Sequence, residues 1–107
     1  LIICSESIDP MTLVRCYHIG VMRMEDGGML DEKIIAIPFG DPTYTPYRDI
    51  SELPRHIFDE LCHFFSVYKQ LEGKATVVDD VGGREEAVDI IRYCIDGYHK
   101  KFDGKTE

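Results

Sequence analysis

The sequence contains no apolar run of about 18 residues, so it predicts no membrane-spanning helix. It also has no excess of positive charge, because 12 Lys and Arg residues stand against 20 Asp and Glu, a formal net charge of −8. A surface of that sign repels nucleic-acid backbones and anionic lipid, which argues against general binding to either. An anionic ligand would need local positive charge from metal ions or from a few Lys and Arg side chains.

Two kinds of short motif are missing as well. The sequence has no P-loop, no G-x-G-x-x-G and no G-x-S-x-G, which argues against the common nucleotide-binding and serine-hydrolase sites. None of the four cysteines forms a C-x-x-C pair or lies near a His at zinc-ligand spacing. They therefore indicate reduced, mostly buried thiols in a cytoplasmic compartment, with two disulfides as the alternative.

The N-terminal half has the composition of β-strands. Residues 13–24 and 33–39 are rich in β-branched, aromatic and long apolar side chains, which predicts two strands. Between them, Glu25 and Asp26 precede Gly27 and Gly28, a pair with turn chemistry. We expect a hairpin with a longish acidic loop.

The C-terminal half has the periodicity of helices. A first helix is predicted to follow a cap at Ser51, to carry Pro54 in its first turn and to end at Gly73. A short strand over residues 74–81 and a second helix over residues 85–102 follow. Strands followed by two helices around a short strand predict an α+β fold, in one domain spanning residues 1–107.

Each predicted helix has one apolar face. In the first helix it comprises Ile57, Leu61, Phe64, Tyr68 and Leu71, widened by Phe58 and Phe65. In the second helix it comprises Ala87, Ile91, Cys94, Tyr98 and Phe102, with Ile90 and Ile95 beside it. We expect both faces to be directed at the core.

Charged residues around the predicted turn form the first candidate site. Asp31 and Lys33 are two residues apart, so on a strand they point to the same face, and a hairpin brings Asp26 toward them. Carboxylate oxygens are the ligands that magnesium prefers in proteins. The alternative is a solvated acidic hairpin tip with an ordinary edge lysine.

The end of the first helix forms the second candidate site. Tyr68 and Lys69 are adjacent, and a phenol and an ammonium both donate hydrogen bonds to phosphate oxygens. The alternative is an amphipathic core tyrosine beside a surface lysine at a helix C-terminus.

Taken together, these segments resemble the family I soluble inorganic pyrophosphatases, closest to their bacterial and plant type. The resemblance extends from Leu1 to about Tyr98 and lies in the order and spacing of its segments. They are residues 20–24, the D-x-x-x-x-D-x-K spacing of Asp26, Asp31 and Lys33, Asp41-Pro42 with Tyr44, Asp49-Ile50, Leu53-Pro54, His63-Phe64-Phe65, and residues 68–72.

The resemblance implies a fold, a reaction and a set of roles. The fold is an OB-like β-barrel, partial here, with two C-terminal helices. The reaction is hydrolysis of pyrophosphate to two phosphates by a magnesium-activated water. By resemblance, Asp26 and Asp31 bind magnesium, whereas Lys33, Tyr68 and Lys69 contact phosphate.

One family signature is absent. The family carries a D-x-D-x-x-D cluster that holds metal ions and activates water, and this sequence has none. We therefore expect the 107 residues to be the C-terminal part of a longer enzyme, truncated or cleaved, and inactive by themselves. The alternative to a truncated chain is a natural short paralogue. The alternatives to an enzyme are a catalytically dead interaction module and, less favoured by the charge, an OB-type nucleic-acid binder. An exposed strand edge would favour a homo-oligomer.

Overall fold

The computed structural model describes residues 1–68, 70–73 and 76–103, and it confirms the α+β class. Two long strands come first, followed by a helix, a short strand and a second helix. The elements are β1 (Cys16–Asp26), β2 (Met29–Pro38), α1 (Arg55–Tyr68), β3 (Thr76–Gly82) and α2 (Arg84–Phe102), with 3-10 turns at Ile50–Glu52 and Gln70–Glu72. Within the described ranges, no helix is both long enough and apolar enough to cross a bilayer.

The strands form one antiparallel sheet in the order β2-β1-β3. The central strand β1 pairs with β2 along its whole length and with β3 over its second half. At the outer edge of β2, Ile2 forms a parallel bridge with Ala36. In the part of the chain that the structure describes, the sheet is therefore open, as a partial barrel would be.

The connection between β1 and β2 is tighter than the sequence suggests. Asp26 pairs with Met29, so only Gly27 and Gly28 form the turn. Their φ angles are 61° and 81°, the positive values that a two-residue hairpin turn requires and that glycine adopts without strain. The predicted longish acidic loop is therefore wrong, because the two glycines close the hairpin and the strands continue up to them.

The central strand is buried on both sides. Met22 and Met24 point to one face of the sheet, where Ile35, Ile37 and the α1 residue Phe65 complete the main core. Val21 points to the other face and is equally buried. A strand between two helical layers reads as a continuous apolar run, which explains why the sequence over β1 does not alternate.

The first helix is rotated relative to the prediction. Phe65 is its buried residue, while Phe64, Tyr68 and Leu71 are 54%, 45% and 84% exposed. The helix is apolar on two sides, and the sheet covers the side that contains Phe65. The other α1 residues against the core are Ile57, Phe58, Leu61 and Cys62.

The predicted cap of α1 is also wrong. Ser51 lies inside the 3-10 turn, which Asp49 caps by accepting hydrogen bonds from the Ser51 amide at 3.0 Å and its hydroxyl at 2.6 Å. The helix itself begins at Arg55, directly after Pro54. The capping residue is thus Asp49, and it caps the short 3-10 turn that precedes α1.

The second helix has the predicted length, but only its first half packs on the sheet. Ala87 is fully buried, and Arg23 on β1 donates to Glu86 at 2.7 Å on the face opposite the main core. The predicted apolar face does not stay buried beyond Ile91, because Cys94, Tyr98 and Phe102 are exposed. The helix extends past the sheet, so its apolar residues there have no layer to cover them within the described residues.

Candidate functional site

The three charged residues of the hairpin lie on one face of the sheet. The register places Asp31 opposite Met24 and Lys33 opposite Met22, and residues that face each other across two strands point to the same side. Asp26 follows Met24 by two residues and so shares that side. The main core and these polar side chains therefore occupy the same face, with the polar residues toward the hairpin end.

Asp31 and Lys33 are in direct contact. The Lys33 ammonium lies 3.0 Å from an oxygen of Asp31, and both side chains are about 30% exposed, at 28% and 32%. A partly exposed pair of this kind is only weakly stabilising, since water competes for both charges. The pair is therefore available to ligands, and an anion that reaches Lys33 also comes close to whatever Asp31 binds.

A cleft beside this pair contains both carboxylates. It has a volume of about 540 Å³ and is lined by Asp26, Gly27, Met29, Leu30 and Asp31. Asp26 and Asp31 are diagonal neighbours across the two strands, a relationship that places Cα atoms roughly 7 Å apart. That spacing is compatible with two carboxylates that share one cation.

These residues fit magnesium only as an open site. No group of three or more His, Cys, Asp or Glu side chains lies close enough to hold a metal within residues 1–68, 70–73 and 76–103. Magnesium, however, keeps several of its waters and uses one or two carboxylates together with phosphate oxygens of a substrate. Asp26 and Asp31, beside open space that admits water, meet that lower requirement.

Phe65 is the neighbour of the site that the sequence did not single out. The Lys33 ammonium lies over its ring, 5.3 Å from the centroid, and the ring itself is buried. The sequence predicts Phe65 on the apolar side of a helix and within a segment of the family resemblance, but gives it no role in the site. Nothing in the sequence could have identified this contact, because Lys33 on β2 and Phe65 on α1 come together only when the chain folds.

Tyr68 lies on the exposed side of α1 and does not line the cleft beside Asp26 and Asp31. It is the last residue of α1, and its ring stacks on Phe64 with centroids 5.6 Å apart and an interplanar angle of 20°. It lines an apolar groove of about 330 Å³ together with Glu60, His63, Phe64, Val67 and Leu71. Lys69, the fifth residue of the predicted site, lies outside the described residues.

Two other aspartates of the resembling segments have structural roles. Asp41 is buried and accepts hydrogen bonds from Ser5 and from the amides of Thr43 and Tyr44. The Ser5 amide, with these further donors, lowers the pKa of Asp41 from its usual value. Asp49 accepts from the Arg84 amide at 2.8 Å at the start of α2, and that hydrogen bond is the main cause of its lowered pKa. Both carboxylates connect segments distant in sequence.

Comparison with known proteins gives the same family as the sequence segments. The model of the family described as inorganic pyrophosphatase matches residues 1–99. Soluble inorganic pyrophosphatase 2 of Chlamydomonas reinhardtii is 40% identical over 102 residues, which cover 95% of this chain and 53% of that protein. Soluble inorganic pyrophosphatase 1 of Arabidopsis thaliana is 43% identical over 98 residues, covering 92% and 46%. The chain thus spans about half the length of these curated relatives.

Solved structures agree. An inorganic pyrophosphatase from Helicobacter pylori superposes with a TM-score of 0.88 at 33% identity, covering 92% of this chain and 60% of that one. The inorganic pyrophosphatase from Thermus thermophilus gives a TM-score of 0.86 at 30% identity, covering 92% and 58%. Sequence and fold therefore lead to the same assignment, which confirms the predicted family and the OB-like architecture. The chain belongs to the inorganic pyrophosphatase family.

Proposed function

We propose that this chain carries part of the active site of a magnesium-dependent inorganic diphosphatase, which hydrolyses pyrophosphate to two phosphates. The observation that carries the proposal is the placement of Asp26, Asp31 and Lys33 on one face of the hairpin beside an open cleft. The family membership supplies the reaction, and the described residues supply charges of both signs that a metal–diphosphate complex needs. The reaction belongs to the whole protein, of which the chain represents about half in its relatives.

Asp26 and Asp31 are the proposed magnesium ligands. Both are carboxylates at the rim of the same cleft, which leaves room for water and for substrate oxygens. Bound magnesium would neutralise the charge on the diphosphate and lower the pKa of a coordinated water. The two aspartates would hold the magnesium ion next to Lys33, although the rest of the surface is also acidic.

Lys33, Tyr68 and Lys69 are the proposed phosphate contacts. The Lys33 ammonium lies within reach of an anion in the cleft, because it already contacts Asp31 at 3.0 Å. Charge-assisted hydrogen bonds from an ammonium to phosphate are the strong class, and a tyrosine hydroxyl adds a neutral donor. Lys69 is included because it is adjacent to Tyr68 in the sequence.

The binding of pyrophosphate tests this site directly. In calorimetric titrations of the chain with magnesium present, Lys33→Ala should weaken binding about tenfold or more, since it removes a charged hydrogen-bond donor. Asp31→Asn should abolish the gain in affinity that magnesium gives while leaving metal-free binding intact or stronger. Lys100→Ala, an exposed lysine near the end of α2, is the matched control and should change nothing. Equal effects of the two lysine substitutions would refute the site.

We also propose a cytoplasmic protein that associates with copies of itself. All four cysteines are free thiols, which is typical of a reducing compartment. The outward side of α1 is an apolar groove, and β3 forms an edge of the sheet in the described part of the chain. A twofold pairing would place the same apolar residues of two copies against each other, and a free strand edge invites a second strand.

Light scattering at high protein concentration should therefore give the mass of a dimer or a larger species. Val67→Glu introduces a charge into the α1 groove and should shift the mass to that of a monomer. Tyr93→Glu, at an exposed aromatic residue of α2, should leave it unchanged. A monomeric mass for the unsubstituted chain would contradict the proposal outright.

A further inference from the structure

Among the residues that the structure describes, the Lys33 ammonium contacts a charged side chain and an aromatic one. Asp31 lies 3.0 Å away on the same strand, and the ring of Phe65 lies beneath the ammonium at 5.3 Å from the centroid. A lysine side chain is a flexible four-carbon stem that loses rotamer freedom when it is held in one place. Its position therefore depends on what surrounds the ammonium, and here that includes a group from a different element.

Phe65 is itself firmly placed. It is the buried residue of α1, 8% exposed, and belongs to the core cluster that contains Met22 and Ile35. Its ring makes an edge-to-face contact with Phe64, with centroids 5.1 Å apart and an interplanar angle of 78°. A ring in such a setting presents a fixed face to Lys33, and the π-face of an aromatic ring attracts an ammonium electrostatically.

We infer that Phe65 is a positioning residue, whose buried ring holds the Lys33 ammonium where it meets the anion. Asp31 alone would not suffice, because a metal ion bound to Asp31 competes with Lys33 for the same carboxylate. The ring carries no net charge to be neutralised, so it continues to hold the ammonium when the site is loaded. The inference rests on the proposed function for the identity of the anion.

The aromatic contacts continue from Phe65 to Tyr68. Phe65 contacts Phe64 edge-to-face, and Phe64 stacks on Tyr68 with centroids 5.6 Å apart. Three rings on one helix thus connect the lysine on β2 with the phenol at the end of α1. Through this row, the position of α1 against the sheet bears on the spacing between Lys33 and Tyr68, two of the three proposed phosphate contacts.

Site-specific fluorinated phenylalanine separates the ring's electrostatics from its shape. Substituting 4-fluoro-, 3,5-difluoro- and pentafluorophenylalanine at position 65 removes the attraction for a cation stepwise while a ring of similar size remains in the core. Two quantities are measured on the 107-residue chain: the NMR shift of the Lys33 ε-CH₂ group, assigned with a Lys33→Arg variant, and the affinity for inorganic phosphate. Pentafluorophenylalanine at position 58, another core-facing ring of α1, is the matched control.

We expect the ring-current displacement of the Lys33 signal to fall stepwise with fluorination at position 65, and phosphate affinity to fall by about 2- to 30-fold. Position 58 should affect neither quantity. If the Lys33 shift and the affinity both stay constant through the series, the positioning role is wrong. If the pentafluoro variant unfolds, the 4-fluoro and 3,5-difluoro variants still decide the trend.

The two proposals fail in different ways. Should the Lys33 signal move as expected while phosphate affinity is insensitive even to Lys33→Ala, Phe65 does position the lysine, and the proposed phosphate role of Lys33 is overturned. A loss of phosphate affinity with an unmoved Lys33 signal would instead overturn the positioning role. Because fluorination also changes the ring current, the shift is read together with the NOE between the ring fluorines and the Lys33 ε-CH₂ protons, which reports the location of the ammonium and does not depend on catalysis.

Discussion

The 107-residue chain by itself should release phosphate from pyrophosphate at least about 10³-fold more slowly than the full-length Chlamydomonas reinhardtii relative in the presence of magnesium. The sequence has no D-x-D-x-x-D cluster, and the described site offers two carboxylates in place of a full set of metal ligands. A metal ion held by so few ligands stays largely hydrated and mobile. Catalysis by positioned metal ions would then lose both the positioning and the activated water.

A colorimetric phosphate assay with and without EDTA measures this rate and removes any metal-independent background. The full-length relative, assayed in parallel, fixes the reference. Turnover by the chain within tenfold of the intact relative would contradict the prediction. In that case Asp26, Asp31 and Lys33 would suffice for the reaction.

The hairpin shows how much of the site follows from the sequence. Side chains alternate between the two faces of a strand, so Asp31 and Lys33, two residues apart, share one face in any strand that contains both. The glycine pair 27–28 sets the turn, and with it the register that brings Asp26 back to that face. The predicted loop length was wrong because periodicity does not show how far strand pairing extends toward a turn.

The packing of the helices could not be predicted in the same way. In α1 the adjacent residues Phe64 and Phe65 are both apolar, and periodicity gives an apolar arc without showing which part of it meets the sheet. In α2 the apolar residues continue past the end of the sheet, which only the fold reveals. The Lys33–Phe65 contact depends on which part of the α1 arc meets the sheet, so the sequence pattern could not identify Phe65 as the residue that we infer to position the lysine.

Replacing Gly20 by Ala adds a single methyl group and should strongly destabilise the fold. Gly20 lies in β1 next to a bulge in the pairing with β2. A Cβ atom there would lie 2.7 Å from the carbonyl oxygen of Gly82 and 2.8 Å from Cβ of Ile50. The first of these atoms belongs to the backbone of β3 and the second to a buried side chain, so neither can move cheaply.

We expect Gly20→Ala to lower the free energy of unfolding by about 3 kcal/mol or more, a large share of the roughly 5–15 kcal/mol of a typical domain. Gly97→Ala is the matched control, because that glycine is on the exposed half of α2 and an added Cβ would meet nothing within 4 Å. The control should stabilise the chain by about 0.5–1 kcal/mol, since alanine restricts the unfolded chain and favours the helix. Urea denaturation followed by circular dichroism measures both changes, which should have opposite signs. A Gly20→Ala variant as stable as the unsubstituted chain would mean that β1, β3 and the 3-10 turn at Ile50 are not packed as closely as described.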